Sequence, residues 1–582
     1  MNAILCFSLT FLASLGLCYE VYLDAEKSGL VRENLIIKSE EIRKINPSNL
    51  SQLLKLYNIN IYTRSDAQQD ISLSGGSFQQ VKVLLNGIPI NDPQTGHHNF
   101  NIPVDVEDIE YIEILQNENL SKYSDAAFNG IINIVTKKDK PNFVKTSYGS
   151  FDTIDAYINL CSQQNSISAS IKKTNGYREN TDLVSYNILY DGRLHNTDVS
   201  FGFLDKKFGA QDFYALNRKE YEQVRTIFFS VSPKIYLKEN IVVKNNIFFR
   251  TGYDFYTTQR STPTIYSNYH NSYMYGVNNC VDFIFNNFTL QPKVEVLFKT
   301  LDSKGFSSVL PTWKGLGEFY DYELRFGMDS FFVYKKFSFD TSLVGNYYSR
   351  YGFIPQAGIK LNYYVFEPLS LFFIVSDVHR TPSYTELYYW DPAHQANDEL
   401  KVEETNLYRA GVNFKLFRII GCTLSGFSYD VVNLIDWERT VNTTRWYIAN
   451  IAKVKTYGGE FRTNFSYNNF GFHLYYDYVK KDFELDPTKE LKYIDNYPVH
   501  SLGMILSFTK ILGFDIVISN SFKESTKTQP KKVLLTNISL TKRINKLDIG
   551  ITVENLFDIK YHEIIGLQAP PRKVLSSLKF YF

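Results

Sequence analysis

Two hydrophobic rhythms divide the chain. From about Asn142 to Phe582, segments of alternating apolar and polar residues recur, broken by Asn, Asp, Gly and Lys. In SISASI, Ser166 to Ile171, every second residue is apolar and the others are serine. In LDIGITVE, Leu547 to Glu554, aliphatic and polar residues take turns. Period-two alternation puts one class of residue on each face of a sheet. In a soluble sandwich the polar face would be outside. In a membrane barrel the apolar face meets lipid and the polar face meets a wet interior. Periodicity alone fits both.

The last segment favours the barrel. VLSSLKFYF, Val574 to Phe582, carries Leu578, Phe580 and Phe582 on one face and ends on an aromatic. A soluble domain gains little from such a stripe, unless the strand packs in a core. An outer-membrane barrel uses it as assembly signal and closing edge. Closure also satisfies every backbone polar group, the condition for spanning lipid with strands.

Residues 30–140 follow a mixed pattern. NPSNLSQLLKLY offers Asn46 or Ser48 as a helix N-cap, followed by Leu50, Leu53 and Leu54 at helical spacing. The short runs VKVLL, IEYIEIL and GIINIVTKK read as strands, so this region is a small α+β domain. Ahead of it, residues 1–18 are apolar from Ile4 to Cys18, the length of a signal-peptide core rather than a spanning helix. Cleavage is expected before Tyr19, leaving 19–29 as a short leading segment. Two features weigh against simple secretion: no Lys or Arg precedes the apolar core, and Cys18 could carry a lipid.

Composition narrows the function. The formal charge of +1 over 582 residues gives no field that would draw nucleic acid. Tyr and Phe number 43 and 45 against 4 Trp, an aromatic excess suited to a chain facing two solvents. Beyond the signal, Cys161, Cys280 and Cys422 are scattered and odd in number, with no metal-binding spacing. The chain has no G-x-S-x-G, H-E-x-x-H, C-x-x-C or phosphate loop, so an enzyme is not expected. Neither a cofactor nor a resident metal is expected.

One loop stands out chemically. VKVLLNGIPINDPQTGHHNF, Val81 to Phe100, begins as a strand and ends with two adjacent histidines among amides and acids. Asn91, Asp92, Gln94, Thr95, His97, His98 and Asn99 supply donors and acceptors for a polar ligand. Neighbouring side chains in an extended segment point apart, which weighs against both histidines holding one metal. The plainer reading is a loop that bonds to itself and its surroundings.

Several segments, in order, resemble the TonB-dependent outer-membrane receptors. LLKLYNINIYT, then LLNGIPIND, then IEYIEILQNENLSKYSDAAFNGIINIVTKK resemble that family's plug. RTPSYTELY, from Arg380, resembles a mid-barrel motif, and Asn555-Leu556-Phe557-Asp558, Tyr561 and Pro571-Arg572 resemble the approach to the last strand. FGAQDFY, Phe208 to Tyr214, is similar to a motif of the cobalamin-receptor-like branch. There are departures. Leu73-Ser74-Gly75 lacks the family's Arg, and Asn117-Glu118 and Tyr123-Ser124 replace Gly-Pro and Tyr-Gly.

The resemblance implies a membrane barrel of about 22 antiparallel strands (141–582) enclosing an N-terminal α+β plug. It implies active uptake of a scarce metal chelate, a cobalamin-like corrinoid or a ferric siderophore, by a monomer in the outer membrane of a Gram-negative-type bacterium. The implied partners are the inner-membrane protein TonB, the barrel assembly machinery and the chelate. Glu20, Val21, Tyr22 and Leu23 would be the segment that adds as a strand to TonB. The 91–99 loop would form part of the ligand floor. Glu113 would pair with an inward barrel Arg, a link released when TonB pulls. The rival is a passive channel or adhesin barrel without energy coupling, which needs no plug.

Overall fold

The computed structural model describes residues 34–582 except 124, 126, 127, 215–217, 311, 367 and 418. Glu20, Val21, Tyr22 and Leu23, and the expected signal segment, lie outside the described residues.

Twenty-two long antiparallel strands, from Phe143–Gly149 to Lys573–Tyr581, close into one barrel. The last strand pairs with Leu547–Glu554 on one side and with the first barrel strand on the other. The ambiguity of the alternating pattern is resolved by which face is covered. Ile167 and Ile171 are 49% and 40% exposed on the outer wall, whereas Ser166 and Ser168 are buried against the interior. Ile549 and Ile551 likewise face out, and Gly550 and Thr552 face in. An apolar exterior around a polar interior is the inverse of a soluble core. Leu578, Phe580 and Phe582 all point outward, each about half exposed.

The two rims differ. On one, two-residue turns open with a residue at positive φ (His195, Lys335, Asn468, Leu512 and Asn545), the conformation that matches the right-handed twist of paired strands. Exposed Tyr236, Phe285, Tyr334, Phe417 and Tyr467 sit beside the turns of this rim. Their amphipathic or aromatic rings suit a membrane interface. On the other rim, strands run to 21 and 22 residues (Ile420–Thr440 and Trp446–Tyr467). That is about twice the ~9–11 a bilayer needs, so the wall rises well clear of lipid and carries the long loops.

The plug fills the lumen. Its sheet runs Leu35–Lys38, Ile109–Leu115, Ile131–Thr136, Lys82–Leu85, Ile88–Pro89, parallel only between Lys82–Leu85 and Ile131–Thr136. Asn86 and Gly87, at φ 52° and 81°, make the tight turn of the hairpin. The helix Ser39–Ile45 packs on Leu35–Lys38 and Ile109–Leu115 of that sheet, and the helix Leu50–Leu56 lies against Asn60–Thr63 and the barrel wall. The cap of the second helix differs from expectation. Asn49, not Asn46 or Ser48, accepts the hydrogen bond from Gln52 N at 2.8 Å. Asn46 instead ends the first helix in the left-handed region, and Ser48 donates to Glu554 on the barrel. Plug residues Ile37, Ile112 and Ile134 share one apolar cluster with barrel residues Phe228, Phe248 and Met274.

Charge pins plug to wall. Glu107 lies 2.7 Å from both Lys145 and Lys579, which face each other across the closing seam. Asp66 pairs with Lys573 at 2.7 Å, and Lys122 with Asp340. The departure at Asn117-Glu118 has a structural use. Glu118 pairs with Lys360 at 3.2 Å, and Asn117 accepts from Arg409 Nη1 at 3.0 Å while that guanidinium holds Glu460 at 2.8 Å. A Gly-Pro turn would offer no side chain for either contact. Glu113 is fully buried in the plug sheet and lies 3.5 Å from Asn133 Nδ2.

Candidate cargo site at the outer rim

The loop after the hairpin is not extended. Thr95 caps a short 3-10 turn, Gly96–His98, and accepts from His97 N. That tight turn, rather than an extended segment, sends the two imidazoles apart. His97 Nδ1 meets Asp70 Oδ1 at 2.9 Å and its ring stacks on Phe78 with centroids 4.1 Å apart. His98 turns to the barrel wall, its Nε2 3.5 Å from Asp254 Oδ2 and 3.9 Å from Glu222 Oε1.

Burial and charge treat the two rings oppositely. Burial pulls His97 below its ordinary value, although Asp70 works the other way. For His98, burial also favours the neutral ring, but the bond to Asp254 and the charges of Asp254, Glu222 and Asp92 outweigh it and push the pKa up to about 9. Burial raises Asp70, yet His97 and Arg64 hold it below the usual carboxylate range.

The loop divides its residues between two tasks. Gln94, Thr95, His97 and His98 line a cavity of about 900 Å³ among the long loops. Asn91, Asp92 and Asn99 secure the loop itself. Asn91 accepts from Val83 N and donates to Val81 O. Asp92 forms a buried pair with Arg250 at 2.8 Å, and Asn99 accepts from Asp92 N and donates to Phe78 O. These three border a second, smaller cavity of about 110 Å³.

Much of the remaining wall of the large cavity comes from barrel residues outside the motifs noted in the sequence. Tyr256, Trp437, Trp446 and Tyr493 give it aromatic faces, and Lys492 lies 5.4 Å from the Tyr493 ring centre. Glu222 and Asp254 sit on the adjacent strands Tyr221–Lys238 and Ile241–Thr257. Their signal was available as polar residues at inward positions of alternating strands. What sequence could not give was which strands stand beside His98. Tyr214, the end of the FGAQDFY motif, also lines the cavity and donates to Glu222 Oε2 at 3.0 Å. Arg380 pairs with Glu386 and Glu403 at 2.8 and 2.6 Å, a salt bridge inside the barrel. Tyr389 lines the cavity, and Tyr388 stacks on Phe319 with centroids 3.6 Å apart, so these rings belong to the mouth.

Comparison with known proteins agrees with this architecture. Residues 116–556 match the family described as TonB dependent receptor-like, beta-barrel, and residues 30–131 match the TonB-dependent Receptor Plug Domain. The chain belongs to the TonB-dependent receptor family. The receptor's fold is similar to that of a ferric enterobactin receptor (PfeA) of Pseudomonas aeruginosa, solved with enterobactin. The TM-score is 0.75 at 14% identity, over 95% of this chain and 100% of that one. It is similar to the siderophore receptor PirA from Acinetobacter baumannii, with TM-score 0.75 at 12% identity over 96% and 99% of the two chains. It is also similar to the copper transporter OprC, with TM-score 0.76 at 12% identity over 94% and 98%. At these identities the likeness is one of fold. The fold and family place the receptor in the outer membrane of a Gram-negative-type bacterium.

Proposed function

We propose that this receptor takes up a scarce metal chelate across the outer membrane, drawing its energy from TonB through Glu20, Val21, Tyr22 and Leu23. The observation that carries this reading is the cavity at the outer rim, whose floor is a plug loop and whose plug is held to the wall by ion pairs. A passive pore has no use for a lumen filled this way. At about 900 Å³ the cavity falls within the range of sites that enclose a small-molecule ligand.

The charges of the lining bear on the cargo. Arg218, Lys219, Lys481 and Lys492 face Glu220, Glu222, Asp254, Glu386, Asp391 and Asp436. With His98 drawn toward its cationic form and Glu386 held by Arg380, the lining is close to charge balance and offers no concentrated positive field for a highly anionic chelate. The aromatic faces suit a broad, weakly charged or cationic complex. A cobalamin-like corrinoid therefore leads, with an uncharged or cationic ferric siderophore next. The FGAQDFY resemblance supports the same order, because Tyr214 lines the cavity.

The direct test is binding of radiolabelled cobalamin and a panel of iron chelates to isolated outer membranes. Saturable binding of one neutral or cationic chelate, weakened by Tyr493→Ala, is expected. Preference for a trianionic catecholate complex would contradict the charge argument.

A further inference from the structure

His98 Nε2, Glu222 and Asp254 present one ligand atom each, all within 4.8 Å of one another and all buried. A tetrahedral site with bonds of ~2.0–2.1 Å has ligand–ligand edges of roughly 3.3–3.4 Å. The observed 3.5 and 3.9 Å from Nε2 to the two carboxylates are already close to that. The third edge, between the two carboxylates, is no longer than 4.8 Å and is the one an ion would draw in.

A second observation points to a missing ligand. Glu222 Oε1 and Asp254 Oδ1 are buried and accept no hydrogen bond among the described residues. Glu222 is only 1% exposed, and its other oxygen accepts from Tyr214. A buried carboxylate oxygen without a donor is costly unless something else supplies the positive charge. The nearby Asp92 is already paired with Arg250 and supplies neither a donor nor a competing ligand here.

We infer that His98, Glu222 and Asp254 form a divalent-cation site on the cavity floor, with one coordination position open to the cavity. One imidazole and two carboxylates without sulfur select a borderline ion of the Zn2+ class over a soft Cu(I). The ion displaces the His98 proton. Asn101 sits 3.0 Å from His98 Nδ1 and fixes the ring. Lys206 Nζ donates to Asn101 Oδ1 at 3.0 Å, which leaves the amide nitrogen toward the ring. Ligation through Nε2 puts the ring proton on Nδ1; Asn101 then turns its oxygen to that proton, and Lys206 keeps the Ala67 carbonyl at 3.4 Å.

The site spans two bodies. His98 rides on the plug, whereas Glu222 and Asp254 belong to the wall. An ion held there ties plug to wall, and any displacement of the plug removes one of its three ligands. Pulling on the plug would therefore weaken the site and release the ion inward. This deepens the uptake reading for the same cavity and rests on it only for the release step.

The test is calorimetric titration of ZnCl2 into the full-length receptor in detergent after EDTA treatment. One Zn2+ per chain is expected. H98Q, E222Q and D254N should each weaken it at least tenfold, and H195Q, at an exposed turn of the opposite rim, should not. Zinc-edge absorption on the wild-type receptor should show nitrogen and oxygen neighbours near 2.0–2.1 Å and no sulfur near 2.3 Å. Heat-modifiable electrophoretic mobility confirms that each variant has folded. Should H98Q fail to fold, E222Q and the wild-type spectrum still decide. Absence of stoichiometric Zn2+ binding, or binding that none of the three variants weakens, overturns the site. Loss of the site with chelate uptake intact leaves the uptake reading standing. Zinc binding without any chelate binding would make the ion itself the cargo.

Discussion

Replacing Glu107 by Ala would leave two lysines facing each other where the barrel closes. Lys145 and Lys579 are register partners on the first and last strands, and Glu107 of the plug lies 2.7 Å from each. All three side chains are at least four-fifths buried. Two unit charges ~6 Å apart at an effective dielectric of ~20 repel by about 3 kcal/mol. Removing one partner of a buried pair costs roughly 3–5 kcal/mol. Glu107→Ala should therefore destabilise the docked plug by about 3–5 kcal/mol, or two to three and a half decades in its equilibrium. Lys579→Met in that background should recover a large part, since it removes the repulsion. The assay is urea unfolding of the detergent-solubilised receptor, followed by heat-modifiable mobility and tryptophan fluorescence. A midpoint for Glu107→Ala within ~0.5 kcal/mol of wild type would refute the reasoning. So would a double variant that is simply additive, because independent sites add and coupled ones do not.

Further expectations follow from the same contacts. Burial alone would raise Glu107, but Lys145 and Lys579 hold its carboxyl well below the usual range. Its contribution is complete above the ordinary carboxylate pKa of ~4.3 and fades as pH falls below it. The wild-type receptor should thus lose plug stability on acidification below about pH 4, and Glu107→Gln should flatten that slope; a steeper slope in the variant would contradict it. Lys360→Met takes its ion-pair partner from Glu118, which is 7% exposed at its side chain and keeps the Asn34 amide as a donor. It should cost about 3–5 kcal/mol, recovered in part by Glu118→Gln, as read in a double-mutant cycle of urea midpoints; zero coupling would remove this contact from the plug's anchorage. Glu113→Ala empties a fully buried carboxylate position in the plug sheet and should raise sensitivity to a large antibiotic that the wild-type plug excludes. Unchanged sensitivity would count against a gating role.

The barrel was legible from period-two alternation because that pattern is set by the strand backbone itself. Its inside-out polarity was legible only from the terminal Leu578, Phe580 and Phe582 stripe, since a single strand looks the same in a sandwich. The plug was legible through its ordered motifs. The helix cap was misplaced because NPSN offers three capping residues in four positions, and only the left-handed end of the preceding helix at Asn46 decides among them. In the floor loop, sequence identified the polar residues but could not divide them. Asp92 and Asn99 look as available as His97 and His98 until Arg250 and Phe78 are seen to hold them. The wall of the cavity was hidden for a topological reason. Glu222 and Asp254 lie more than 120 residues from His98 in sequence and meet it only because the plug is threaded inside the closed sheet.

The central claim is energised uptake through a plugged barrel. It is tested most directly by comparing accumulation of a labelled chelate in cells carrying the receptor with or without residues 20–23, alongside binding to the same cells. The account predicts that accumulation stops in the deletion while surface binding persists, and that an uncoupler has the same effect on the intact receptor. Undiminished accumulation after the deletion and in the presence of uncoupler would mean a passive pore.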